Sequence, residues 1–178
     1  MSIQTIGIIG AREPGWQLAA LALRGGYSVI LEDVSPEVLA ASGDAIARWA
    51  GTHRESARQR LVTSRSVEDV CRVADFLIEA LPEELEAKLE IFTIFDKFAK
   101  PGVVLATTSR ETSVADLADM TYRREECIAF RLLGISREGV PSLEILRGAA
   151  TSDTTVAACR DLATRMGARM LIATEKAQ

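Results

Sequence analysis

The sequence has few cysteines, and they are poorly placed for a bridge or a metal site. Cys71, Cys127 and Cys159 are far apart and form no Cys-x-x-Cys pair. We therefore expect a reduced, cytoplasmic protein with buried thiols and no metal. No apolar run is long enough to span a bilayer, so no membrane partner is expected. The only histidine, His53, lies in a charged stretch where a surface side chain is expected.

The sequence also lacks an excess of positive charge. Its 178 residues carry a net charge of −4, and the pI is about 5.2. Nucleic acid is therefore disfavoured as a partner. The hydrophobic content of 48% and the charged content of 26% are ordinary for a globular protein of one domain.

Short apolar runs alternate with segments of helical spacing along the whole chain. The runs that predict buried strands are residues 5–9, 29–31, 62–63, 76–80, 103–106, 127–130, 143–146 and 170–172. Helical patterns cover residues 16–23, 36–49, 82–98, 113–120 and 153–166, among others. The alternation predicts a doubly wound, mostly parallel α/β sheet of the Rossmann type, with residues 1–178 as one domain.

The turn after the first run is the strongest functional signal. Gly10, Ala11 and Gly15 lie between a predicted strand and a predicted helix, as in a dinucleotide-binding unit. The middle glycine of Gly-x-Gly-x-x-Gly is replaced by Arg12. A side chain there either blocks the approach of a pyrophosphate or contacts it through the guanidinium; otherwise Arg12 points into solvent.

An acid at the end of the second strand agrees with that reading. Asp33 follows the glycine turn by about twenty residues, the place of the carboxylate that accepts the ribose hydroxyls. A carboxylate there repels a 2′-phosphate, which favours NAD over NADP. The alternative is a solvated acid in a loop.

The chain resembles the NAD-binding domain of the 3-hydroxyacyl-CoA dehydrogenases over nearly its whole length. The pieces that carry the resemblance, in order, are IGIIGA from residue 6, VILEDVS from 29, IEALPE from 78, LATTS from 105, LEILRG from 143 and TSD from 151. The resemblance implies NAD as cofactor and oxidation of a 3-hydroxyacyl-CoA to a 3-oxoacyl-CoA, a reaction of fatty acid metabolism. In the family a helical domain follows, closes the cleft and usually forms the dimer; we expect it to be absent from this chain.

The same resemblance assigns roles to individual positions. It places Glu83 and Lys88 near the cofactor, together with the glycine turn and Asp33. The family's catalytic histidine falls on Arg131, its substrate-contacting serine on Arg110, and the glutamate that pairs with the histidine on Glu144. The family's asparagine falls on Gly134.

These departures leave two hypotheses open. Arginine stays protonated at working pH and cannot accept the hydroxyl proton as histidine does. The chain is then either a dehydrogenase domain with an impaired, degenerate active site, or a non-catalytic module that binds a nucleotide, an acyl-CoA or a protein.

Two further features concern possible partners. Arg110 and Arg131 form either a site for an acyl-CoA or another anion, or ion pairs with acids such as Glu83 and Glu144. Leu132, Leu133 and Ile135 suit an apolar interdomain face, which predicts a homodimer or a partner protein that covers it.

Overall fold

The computed structural model describes residues 3–51 and 54–175. His53, which we expect to lie at the surface, is outside these described residues. Within them no helix is both long and apolar enough to cross a membrane.

Eight strands form a single sheet in the order β3-β2-β1-β4-β5-β6-β7-β8. Every neighbouring pair is parallel except β6 and β7, which are antiparallel. The strands are Thr5–Ile9 (β1), Ser28–Glu32 (β2), Leu61–Ser64 (β3), Phe76–Glu79 (β4), Val104–Thr107 (β5), Cys127–Ile135 (β6), Pro141–Arg147 (β7) and Arg169–Thr174 (β8). The predicted doubly wound, mostly parallel sheet is confirmed.

Helices cover both faces of this sheet, and each face has its own apolar core. They are Gly15–Arg24 (α1), Pro36–Ala50 (α2), Arg54–Arg60 (α3), Val67–Val73 (α4), Leu85–Phe98 (α5), Val114–Ala118 (α6) and Asp153–Arg165 (α7). The first two helices pack with α7 on one core, while α4, α5 and α6 pack on the other. Burial on both faces is the reason that the parallel strands are continuous apolar runs.

Serine side chains begin several of these helices. Ser35 Oγ accepts a hydrogen bond from Val38 N, and Ser113 Oγ accepts one from Asp116 N. Such caps satisfy backbone donors that have no partner inside the helix. Both caps agree with the helix starts predicted from the sequence.

Two boundaries differ from the sequence-based prediction by three residues or more. Helix α5 begins at Leu85 rather than Pro82. Strand β6 continues to Ile135, well past the predicted end at Phe130, because residues 131–135 pair with β7 in an antiparallel ladder. As a result Arg131 lies on a strand, where its place relative to β7 is set by the ladder.

Candidate functional site

The glycine turn is packed too closely for side chains at its ends. Gly10 has a φ of +97°, and a β-carbon there would lie 2.7 Å from the carbonyl oxygen of Ala80. A β-carbon on Gly15 would collide with the carbonyl oxygen of Gly10. Both positions therefore require glycine. Arg12 lies on the exposed side of the turn and forms no ion pair with any residue that the structure describes.

The carboxylate of Asp33 is fixed by two backbone donors. Its Oδ2 accepts from Ala11 N at 3.1 Å, and its Oδ1 accepts from Ser35 N at 3.0 Å. The first bond ties the end of β2 to the glycine turn, and the second ties it to the cap of α2. A carboxylate oxygen can accept more than one hydrogen bond, so Asp33 keeps acceptor capacity for a pair of hydroxyls.

Glu32, the residue before Asp33, is buried and has a carboxyl oxygen with no hydrogen-bond partner among the described residues. Its backbone oxygen accepts from Gly10 N at 2.9 Å, but its side-chain Oε1 has no hydrogen bond within the described structure. The residue is 3% exposed. Burial and, after it, repulsion from Asp33 raise the pKa of Glu32 to about 7.

A second buried carboxylate lies two strands away in the same row of the sheet. Ile9 of β1 is the register partner of both Glu32 and Glu79. Unlike Glu32, Glu79 is satisfied: Oε1 accepts from Lys88 Nζ at 2.9 Å and from Leu81 N at 2.6 Å, and Oε2 accepts from Thr107 Oγ1 at 2.7 Å. Sequence reasoning missed Glu79; the signal was an acid inside an apolar strand.

Lys88 belongs to this buried pair rather than to an open surface. Its side chain is fully buried, and its ammonium also donates to the carbonyl oxygen of Leu81 at 3.1 Å. Glu83 Oε2 lies 3.6 Å from the same ammonium, and the Glu83 side chain is 34% exposed. Of the two residues expected beside the cofactor, Glu83 is therefore the accessible one.

Glu83 organises the loop that follows β5. Its Oε2 accepts from Ser109 Oγ at 2.6 Å, and its Oε1 accepts from the backbone N of Arg110 at 2.8 Å. Partial burial acts to raise the pKa of Glu83, but these bonds and the charge of Lys88 outweigh burial, so the pKa is lowered overall. The carboxylate form is therefore favoured.

Arg131 and Glu144 form an ion pair across the β6–β7 ladder. They are register partners, and Arg131 Nη1 lies 2.9 Å from Glu144 Oε2. Arg131 Nε also donates to the carbonyl oxygen of Ser109, which ties β6 to the loop after β5. Arg110 is exposed and donates through Nη2 to the carbonyl oxygen of Leu132 at 3.3 Å. Arg131 thus has the acid partner that one alternative predicted, and the Arg110 guanidinium has none among the described residues.

Together these contacts bring the predicted residues to one edge of the sheet. The glycine turn, Asp33 and Glu83 lie at the carboxyl ends of β1, β2 and β4, the edge at which open α/β sheets bind ligands. The described residues contain no group of three His, Cys, Asp or Glu side chains placed to hold a metal ion.

The residues of this edge fit a dinucleotide. Because Gly10 and Gly15 have no side chains, the turn packs closely against the start of α1. Helix α1 has ten residues, and the N–H groups of its first turn favour an anion. Asp33 is held by two backbone bonds at the end of β2, and Arg12 has no acid partner among the residues that the structure describes. Fold and site therefore define a Rossmann-type dinucleotide-binding domain.

Comparison with known proteins agrees with this class. The family described as "3-hydroxyacyl-CoA dehydrogenase, NAD binding domain" matches residues 5–176. The chain therefore belongs to this family, as the resemblance predicted, and its cofactor is NAD.

Relatives and solved structures show the same likeness. The chain is 28% identical to a probable 3-hydroxybutyryl-CoA dehydrogenase of Bacillus subtilis, over 94% of this chain and 61% of that protein. It is 28% identical to an L-carnitine dehydrogenase of a Pseudomonas species, over 93% of this chain and 51% of that protein. The crystal structure of an Escherichia coli 3-hydroxybutyryl-CoA dehydrogenase superposes with a TM-score of 0.88 at 22% identity, covering 98% of this chain and 39% of that one. The chain thus spans only part of each of these proteins.

Proposed function

We propose that this chain is the cofactor-binding part of a 3-hydroxyacyl-CoA dehydrogenase-like protein in which alcohol oxidation is impaired. The observation that carries the proposal is the Arg131–Glu144 ion pair at the position where the family places its histidine and glutamate. The cofactor edge, by contrast, keeps the first and last glycines of its turn and its acid at Asp33.

The proposed cofactor contacts follow from the geometry of that edge. Gly10, Ala11 and Gly15 form the turn beneath the pyrophosphate, and Asp33 binds the adenosine ribose. Arg12, exposed and without an acid partner in the described part of the chain, supplies a guanidinium to the pyrophosphate in place of the missing glycine. Further along the edge, Glu83 contacts the cofactor and Lys88 supports it from the buried side.

The proposed impairment follows from proton transfer. NAD, when bound, would supply the hydride acceptor for oxidation of the alcohol, and a side chain of the protein would have to take the hydroxyl proton. Arginine cannot accept that proton, and the Glu144 carboxylate is held by Arg131. Loss of a general base costs on the order of 10²–10⁴-fold in rate.

The proposed ligand beside the cofactor is an acyl-CoA or another anionic small molecule. Arg110 occupies the family's substrate-contacting position, and among the described residues a single bond, to Leu132, engages one of the five donors of its guanidinium. The names of the relatives include both 3-hydroxybutyryl-CoA dehydrogenases and L-carnitine dehydrogenases. The proposed substrate class therefore includes anionic molecules other than acyl-CoA thioesters.

A second candidate function, that of a non-catalytic binding module, is favoured by apolar side chains exposed near the Arg131–Glu144 pair. Leu133 of β6 is 43% exposed, and Leu171 of the edge strand β8 is 53% exposed. Leu171 is the register partner of Glu144. We propose that a second copy or a partner protein covers this face.

The three cysteines are free and buried, which supports a cytoplasmic location.

Turnover and cofactor binding measured on the same sample test the proposal. The expected result is that the protein binds NADH but forms no detectable NADH from NAD⁺ and 3-hydroxybutyryl-CoA. Clear turnover by the unmodified chain would overturn the proposed impairment. Absence of cofactor binding would instead favour the second candidate function.

A further inference from the structure

The buried Glu79–Lys88 pair joins the carboxyl ends of β4 and β5. Both side chains are fully buried, and Glu79 accepts from Lys88 Nζ, Leu81 N and Thr107 Oγ1. Thr107 is the last residue of β5 and the register partner of Glu79. One carboxylate therefore fixes both strand ends and the start of the segment that leads to α5.

A chain of hydrogen bonds extends from this pair to the accessible residues. Thr107 Oγ1 also accepts from Ser109 N at 3.0 Å, and Ser109 Oγ donates to Glu83 at 2.6 Å. The backbone oxygen of Ser109 then accepts from Arg131. The orientation of Glu83 and the contact between β5 and β6 both depend on where Thr107 and Ser109 are held.

A contribution to stability does not by itself account for the buried Glu79–Lys88 pair. Burying two charges is costly, and a buried ion pair is often no more stabilising than apolar residues of the same size. Lys88 lies on the buried face of α5 with Phe92 and Phe95, where an apolar side chain is expected. A role in positioning the loop after β5 and Glu83 would account for a buried ion pair at this edge.

We propose that Glu79 and Lys88 are positioning residues, which act on the cofactor site through Thr107, Ser109 and Glu83 rather than by direct contact. Glu79 is assigned no role by the family resemblance, and Lys88 has no exposed surface with which to reach a ligand. This inference rests on the assignment of the carboxyl edge as the NAD site.

The central variants are Lys88→Met and the double variant Glu79→Leu/Lys88→Met. The single change leaves Glu79 buried without a cation and is expected to destabilise the fold. The double change replaces the pair by apolar side chains and is expected to recover much of the stability. The single variant keeps Glu79 as the acceptor for Leu81 N and Thr107 Oγ1, whereas the double variant lacks both of these bonds.

Two controls separate positioning from general destabilisation. Phe95→Leu lowers stability from the same helix without touching a polar contact. Lys100→Met removes a lysine that pairs with Asp75 at 2.6 Å next to the start of β4, the opposite end of that strand from Glu79. Both controls are expected to keep the NADH affinity of the wild type.

Two readouts decide the proposal. Calorimetry is expected to show NADH binding weakened about tenfold or more in the double variant. The reason is that a displaced Glu83 carboxylate loses its charge-assisted contact with the cofactor. Amide exchange at Ser109 and Thr112, whose N–H groups donate to Thr107 Oγ1 and Ser109 Oγ, is expected to accelerate in the double variant and not in the controls.

A folded double variant with wild-type NADH affinity and wild-type exchange at these two amides would overturn the inference. If the wild type itself binds no NADH, the cofactor assignment fails, and the exchange comparison still decides whether the pair positions the loop after β5.

Discussion

Glu32 makes the stability of this protein depend on pH in a direction opposite to that of most carboxyl groups. Its side chain is 3% exposed, Oε1 has no partner among the described residues, and its pKa is raised from 4.5 to about 7. Between these two values the unfolded chain releases the proton while the folded protein keeps it. The contribution of Glu32 to stability is therefore complete below about pH 4.5 and falls as pH rises to about 7.

The size of the effect follows from the two pKa values. A shift of about 2.5 pH units corresponds to about 3 kcal/mol, at 1.36 kcal/mol per unit. Glu32→Gln keeps the shape and removes the titration, so the unfolding free energy of the wild type should fall by about 3 kcal/mol relative to the variant across this window. Groups with a lowered pKa, such as Glu83 and Asp75, lose their contribution as pH falls and so work in the other direction.

Urea unfolding at several pH values from about 5 to about 8 measures this difference. Glu37→Gln is a matched control, because Glu37 is exposed and the Ser35 hydroxyl lowers its pKa, so it titrates below the window. Its pH profile should follow that of the wild type. Parallel profiles for the wild type and Glu32→Gln would contradict the raised pKa of Glu32 and would mean that its carboxylate is ionised and hydrogen-bonded in the folded protein.

Three more predictions concern the carboxyl edge and the exposed face. Asp33→Asn should weaken NADH binding about tenfold in calorimetry, because a charged acceptor for the ribose is lost; unchanged affinity would exclude Asp33 from the site. Arg131→His should give no measurable dehydrogenase activity in a spectrophotometric assay, since the family's serine and asparagine positions are still Arg110 and Gly134; restored turnover would show that the base alone was missing. Leu171→Glu should reduce any self-association seen by light scattering, and a wild type that stays monomeric at high concentration would count against a self-covered face.

The fold could be predicted because local signals and the overall pattern agree. The apolar run at Thr5–Ile9 is followed by a glycine turn, and Ser35 with Pro36 begins α2 as a cap and a first helical residue do. A Pro at a helix start is a weaker signal on its own: Pro82 lies three residues before α5 begins, because Glu79 and Lys88 hold Leu81 in the loop that precedes the helix.

The site could be predicted only where a role is local in sequence. Asp33 follows the glycine turn at a recognisable distance, and the structure joins it to Ala11. The Arg131–Glu144 pair depends on an antiparallel ladder between two strands, so spacing alone left its partner open. The Glu79–Lys88 pair depends on helix α5 packing against β4, and its only sequence signal is a charged residue in each of two apolar patterns.

The most direct test of the proposed cofactor site is a calorimetric titration of the unmodified protein with NADH, with NADPH as the comparison. We expect NADH to bind and NADPH to bind more weakly, because the proposed role of Asp33 is to accept the ribose hydroxyls, and its charge would repel a 2′-phosphate there. No binding of NADH at millimolar concentration would contradict it, and would mean that Arg12 closes the glycine turn to the cofactor.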